Sequence, residues 1–372
     1  MVKSDVYSIE TPALILTESK MINNIQRMLS VKEKYNVNVR PHFKTHKSIK
    51  IAKEQLKQGA SGITVATATE AELLLENGVE DILVAFPLSD KKKIFRLLKW
   101  VPTAKVIFTI DSMDQALIIH EAAEELHKKA EVWIKVNCGL NRCGVEPGLE
   151  VYELAKETID KTDLQLTGLY THAGHSYGAT RSQHIDEIAK FEAESIVQSA
   201  KICEERGISI RHRSVGSTPT FEKAAQYEGI TEVRPGNAVF FDGIQVGLGV
   251  AQLEEVALTV LATVVSIKKD RCIIDAGSKA LTTEKGAHGN ESIKGFGQLL
   301  IDKPLYVSRV SEEHGVIEVT GDQIGNQISL NEKVNIIPNH ACPVVNLFDY
   351  YYVMKEDGTI ERMKVDGRGK SQ

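Results

Sequence analysis

The chain has 372 residues, 42% hydrophobic and 26% charged, the balance of an ordinary globular protein longer than one small core requires. Its formal charge of −5 gives no electrostatic reason to expect nucleic acid. The first seven residues lack the apolar core of a signal peptide, residues 256–267 are too short to span a bilayer, and five scattered cysteines make no disulfide framework. A cytoplasmic protein that engages neither nucleic acid nor membrane is expected.

Taken in chain order, residues 37–40 read as a strand, followed by a helix through Ile49, Ala52 and Leu56 that Gly59 ends. Residues 62–65 are a strand, and residues 69–77 a helix stopped by Gly78, as expected just past a helix end. Further strands are expected at 82–85, 106–110, 132–137, 164–171, 210–215 and 231–234, with helical patterns such as 114–128 and 183–206 between them. Strands alternating with helices imply βαβ units and a parallel sheet, and eight such repeats suggest closure into a barrel. Beyond residue 245 the texture changes. Segments 253–267, 271–275, 315–319, 333–337 and 350–354 are β-branched or aromatic with turns between them and no helix-period stretch. The expectation is an α/β chain: a (β/α)8 TIM-type barrel over residues 13–244, then an all-β C-terminal domain over 245–372, with residues 1–12 free to pack on it.

Barrel enzymes build their sites from loops at the C-terminal ends of the strands, so the polar residues just after each strand matter most. After the first strand comes Arg40-Pro41-His42-Phe43-Lys44-Thr45-His46-Lys47. A lysine among other cationic groups at a barrel mouth has its pKa lowered, which favours the free amine of Schiff-base chemistry; the plain alternative is a basic surface loop. After the sixth strand, Tyr170-Thr171-His172-Ala173-Gly174-His175-Ser176-Tyr177 offers imidazoles and a phenol beside glycine. Gly216-Ser217-Thr218-Pro219 and Arg234-Pro235-Gly236-Asn237 follow strands seven and eight, where this architecture commonly holds a phosphate. Near the end, His340 and Cys342 are two apart on a segment read as extended, so both point one way and could bind a borderline metal in an open site. Such a pair also arises by chance. Cys138 and Cys143 read as small buried residues, and Phe240, Phe241, Asp242 and Gln245 either line the pocket or fill the domain junction.

Assembled in this order, and joined by Asp275-Ala276-Gly277-Ser278-Lys279 and Pro338-Asn339-His340-Ala341-Cys342, these motifs resemble the D-serine dehydratase and D-threonine aldolase family from Thr11-Pro12 onward. That family has the alanine-racemase-like fold (fold type III of the pyridoxal-phosphate enzymes). The resemblance implies two cofactors, pyridoxal 5′-phosphate and Zn²⁺, with Mn²⁺ the alternative metal. It implies that Lys44 holds pyridoxal phosphate as a Schiff base and that Ser217, Thr218, Gly236 and Asn237 cradle its phosphate. Arg142 and Tyr177 would surround the pyridine ring, His172 would pack on its face, and His340 and Cys342 would be the metal ligands. The implied substrate is a D-3-hydroxy amino acid and the implied assembly a homodimer. The His-x-Cys pair resembles the dehydratase branch, where aldolases often have His-x-Asp. Aldolases also tend to carry a histidine soon after the strand-six loop, and here none appears until His184. Elimination of water to a 2-oxo acid and ammonia is therefore expected, with retro-aldol cleavage to glycine and an aldehyde as the alternative. A racemase or a non-catalytic pyridoxal-phosphate-binding protein is more distant. Relatives frequently carry an aromatic residue where Ala238 stands, which leaves the pocket wall open.

Overall fold

Short segments of two to seven residues form eight parallel strands in the computed structural model, which describes residues 6–180, 182–286, 293–301, 304–318 and 328–372. They are β2 (Asn38–Val39), β3 (Ile63–Val65), β4 (Asp81–Pro87), β5 (Lys105–Ile110), β6 (Glu131–Lys135), β7 (Gln165–Tyr170), β8 (His212–Val215) and β9 (Glu232–Val233). Their order is β2-β9-β8-β7-β6-β5-β4-β3. The sheet curls until its ends meet: Ser61 N–H donates to Val39 O and Thr64 N–H to Pro41 O, each at 2.8 Å. Leu83, Ile107, Trp133 and Tyr170 fill the interior as a buried layer, the packed core expected of a barrel.

Helices alternate with these strands because the sequence starts and stops them locally. The helices α1 (Glu18–Tyr35), α2 (Ile49–Lys57), α3 (Ala68–Glu76), α4 (Lys91–Leu98), α5 (Met113–Glu125), α6 (Leu149–Lys161) and α7 (Ser182–Glu204) carry apolar stripes toward the sheet. Thr67, Asp90 and Ser112 each accept a backbone N–H at the start of a helix. Asn36 ends α1 in the left-handed region, at φ 54°, one of the few conformations asparagine takes readily.

The second sheet has nine strands. Its path is β13 (Val307–Val310), β14 (Gly315–Glu318), β11 (Arg271–Ile274), β10 (Leu258–Ile267), β1 (Ala13–Thr17), β16 (Tyr350–Met354) and β17 (Ile360–Lys364). β15 (Lys333–Ile337) pairs with β10 and with β12 (Gln298–Leu299).

Three details differ from the sequence expectation. Ala13–Thr17, assigned there to the barrel segment, belongs to the second sheet, antiparallel to β10 and parallel to β16. A strand buried at four successive positions reads the same in either sheet, so its pattern alone could not place it. The second unit also contains short helices, Ser278–Leu281 and Ala341–Val345. Finally, β15 ends at Ile337, and His340 is the N-cap of Ala341–Val345, not part of an extended run with Cys342. Pro343 suits a first helical turn, where its missing N–H costs nothing, and Asp242 Oδ2 accepts the Ala341 N–H at 2.8 Å. The strand end expected at Val319 and the loop residue Arg181 lie outside the described residues.

Candidate active site

The loop after β2 is a tight turn, Phe43–Thr45, closed when His42 Nδ1 accepts the Lys44 N–H at 3.3 Å. Phe43 is fully buried and anchors it. The two lysines of this motif have different surroundings. Lys47 Nζ donates to Glu70 Oε1 at 2.7 Å and to Gly367 O at 3.2 Å, so it is committed to fastening the turn. Lys44 lines the cavity. Burial, helped by the Arg142 and Lys135 charges, lowers the Lys44 amine below the ordinary lysine value. The second unit holds the same turn from outside: Tyr351 Oη donates to His46 O, and Asp366 Oδ2 accepts the Ile49 N–H at 2.9 Å.

At the ends of β7, β8 and β9 three loops form a cup. Glu192 of α7, fully buried, organises it. Glu192 Oε1 accepts from Thr171 Oγ1 at 2.8 Å, Gly216 N at 2.9 Å and Ala173 N at 3.1 Å, and Oε2 accepts from Thr220 Oγ1 at 2.9 Å. Thr218 Oγ1 accepts the Gly236 and Ala238 N–H groups at 3.3 and 3.2 Å. Ser176 and Ser217 hydroxyls are 2.9 Å apart. A Cβ on Gly236 would stand 3.2 Å from both His42 Cβ and Thr45 Oγ1, so glycine lets this loop close on the lysine turn. Tyr177 hydrogen-bonds to Thr218 and therefore sits over the cup, its phenol pKa raised by burial. A cup of small hydroxyls and backbone facing a depressed lysine amine fits a phosphorylated aldehyde such as pyridoxal phosphate.

His172 Nδ1 donates to Gly216 O at 3.1 Å. Burial and the Lys44 charge hold both His42 and His172 well below the usual imidazole value, so both rings are neutral near pH 7. Arg142 is an exposed cavity-lining cation and forms no ion pair among the described residues.

The opposite wall comes from the turn after β15. His340 Nδ1 lies 3.1 and 3.0 Å from the two Glu284 carboxylate oxygens, and Cys342 Sγ lies 3.2 Å from Thr45 Oγ1, the neighbour of Lys44. Burial opposes ionisation of both groups, but the mutual contact of thiol and imidazole outweighs it: the Cys342 thiol is lowered and the His340 imidazole raised well above its usual value. An imidazole beside a thiol offers the nitrogen and sulfur donors that a borderline metal takes, each giving up its proton to the ion. Among the described residues no group of three or more His, Cys, Asp or Glu forms a metal cage, so such an ion would keep open positions.

Lys44, Arg142, His172, Tyr177, Ser217, Thr218, Gly236, Asn237, His340 and Cys342 all line one cavity of about 560 Å³. Sequence reasoning missed Lys135 and Cys143 there. Cys143 was read as a buried filler, yet Lys135 Nζ donates to its Sγ at 3.0 Å and both line the cavity. A lysine on an otherwise apolar barrel strand was the available signal for Lys135. Phe240, Phe241, Asp242 and Gln245 fill the junction. Asp242 accepts from Asn237 Nδ2 and Ala341 N, so one carboxylate joins the cup to the turn that carries His340 and Cys342.

Residues 17–243 match the family model described as alanine racemase, N-terminal domain, and residues 257–354 match the putative serine dehydratase domain. The chain is 33% identical to D-threo-3-hydroxyaspartate dehydratase of Delftia sp. (strain HT23), covering 95% of this chain and 96% of that protein. It is 31% identical to D-serine dehydratase of Dictyostelium discoideum, covering 96% of each. Against D-threonine aldolase of Arthrobacter sp the identity is 28%, over 98% of this chain and 94% of that one. The Delftia dehydratase structure superposes with TM-score 0.90 at 31% identity, covering 96% of this chain and 98% of that one. So does a cysteine-to-alanine variant of that enzyme in the metal-free form, with TM-score 0.90 and 31% identity over 97% of this chain and 98% of that one.

Proposed function

This chain belongs to the alanine-racemase-like family that joins an alanine racemase N-terminal domain to a putative serine dehydratase domain, and from that premise we propose that it is a lyase that removes water from a D-3-hydroxy amino acid, using pyridoxal phosphate and a divalent metal. One observation carries the reading: the Lys44 amine and the His340–Cys342 pair line the same cavity.

Bound pyridoxal phosphate would supply an electron sink for a carbanion at Cα, and a metal would supply a Lewis acid for the departing hydroxyl. The chain's own residues do the rest. Ser217, Thr218, Gly236, Asn237 and Tyr177 would hold the phosphate end of pyridoxal phosphate; His172, being neutral, would add no charge at its ring, and Arg142 would supply a cation to ring or substrate. Lys44 would hold the aldehyde carbon of that group and would be the base for the Cα proton, a role that its lowered pKa favours. His340 and Cys342 would hold the metal that assists departure of the β-hydroxyl. The unsaturated product, once released, hydrolyses to a 2-oxo acid and ammonia.

The thiolate favours zinc over manganese. The same reading includes a homodimer in the cytoplasm, the dimer by analogy of fold; sedimentation of the purified protein checks the dimer. No described helix is long and apolar enough to cross a membrane.

The test is to load the purified protein with pyridoxal phosphate and zinc and supply D-serine, D-threo-3-hydroxyaspartate and D-threonine separately. Formation of 2-oxo acid and ammonia is expected. Glycine plus an aldehyde with no 2-oxo acid would instead establish the retro-aldol reaction, the reading that the aldolase relative favours.

A further inference from the structure

A metal-bound imidazole must present a bare nitrogen lone pair to the ion, so its other nitrogen has to carry the proton. In His340 one of the two nitrogens is already engaged. Nδ1 faces both oxygens of Glu284 at 3.0 and 3.1 Å, and a carboxylate can only accept there. Nδ1 is therefore the protonated nitrogen and Nε2 the one left for the metal beside Cys342. We propose that Glu284 is a positioning residue for the metal: it fixes the rotamer and the tautomer of His340 that binding requires.

The surrounding framework supports this role. Asn339, the residue before the ligand, donates from Nδ2 to Lys285 O and Gly295 O at 2.9 Å and to Glu284 O at 3.3 Å. The segment that bears the carboxylate is thus tied to the segment that bears the imidazole, and their relative position does not depend on the side-chain contact alone. From the barrel side, Pro338 O and Asn339 O accept the Gly243 and Ile244 N–H groups at 3.0 Å, and Asp242 accepts the Ala341 N–H. The backbone on both sides of His340 is held, which leaves ring rotation and tautomer as the freedoms that Glu284 removes. A carboxylate behind a ligating histidine also raises the basicity of the nitrogen on the metal. Glu284 itself is no ligand in this account, since its oxygens lie against Nδ1, the nitrogen that carries the proton.

The inference rests on the metal reading above, and the experiment separates the two. Purified protein with pyridoxal phosphate bound is stripped of metal and titrated with zinc against a chromophoric chelator, for the wild type, His340→Ala, Glu284→Ala and Glu284→Gln. Glu284→Ala should weaken zinc binding by about 10–100-fold, with pyridoxal-phosphate content and the Tm of the metal-free form unchanged. Glu284→Gln, which still offers an acceptor to Nδ1–H without the charge, should recover part of that loss. Zinc affinity in Glu284→Ala equal to wild type would overturn the inference, as would a weakening matched by a drop in metal-free Tm. Wild type and His340→Ala binding zinc alike would overturn the metal reading itself, and this inference with it.

Discussion

At the β7–β9 end of the cavity the contacts are backbone groups and small hydroxyls gathered around one buried carboxylate, Glu192, whereas at the opposite wall two side chains, His340 and Cys342, stand on a turn from the other sheet. The cup has one organising side chain: Glu192 accepts from four groups spread over the loops after β7 and β8, and the cavity side of the cup is left to small hydroxyls and backbone. The turn after β15 puts its chemistry on two side chains, His340 and Cys342. One substitution there is expected to cost more than one among the backbone contacts of the cup.

That contrast can be broken or sharpened by substitution. The largest effect is expected between the two regions, at Lys44. Lys44→Ala should lower turnover by at least about 10³-fold and abolish the visible imine absorbance; a borohydride-reducible adduct surviving in the variant would reassign the lysine. Stripping the metal should be next, costing about 10³-fold in elimination, the several kcal/mol of a Lewis acid, while pyridoxal phosphate stays bound. Activity in a preparation shown by elemental analysis to be metal-free would remove that role. Glu192→Ala leaves the buried Ala173 and Gly216 N–H groups without an acceptor, so urea unfolding should show a loss of about 3 kcal/mol together with weaker pyridoxal-phosphate binding. Retained stability there would mean the loops hold themselves. The smallest effect is in pH. The neutral Lys44 amine is the reactive form, and its lowered pKa means that capture of pyridoxal phosphate by the apo chain should persist to lower pH than free lysine allows. A midpoint at the ordinary lysine value would contradict the burial argument.

The same contrast explains what the sequence made legible. The eight barrel strands follow from alternation of apolar runs with capped helices, and once they are placed, the Gly216–Thr218 and Gly236–Asn237 loops fall where a phosphate is expected. The cup was legible by position. His340 and Cys342 stand out by residue type alone, and the extended reading of their segment differs from the structure, where Asp242, 99 residues from Ala341, accepts the first N–H of the helix after β15. Glu284, 56 residues from His340, carried no local signal whatever. β1 was assigned to the barrel segment because a strand buried on both faces looks alike in either sheet. Glu192 is one more glutamate on a helix until the fold buries it.

The central claim is a division of labour across one cavity, the lysine at Cα and the metal pair at Cβ. The direct measurement is Cys342→Ala with D-serine in D₂O, following Cα–H exchange by NMR and 2-oxo acid release in the same sample. Exchange should continue while elimination falls by at least about 10²-fold. Elimination proceeding at the wild-type rate, or exchange and elimination lost together with pyridoxal phosphate still bound, would contradict it.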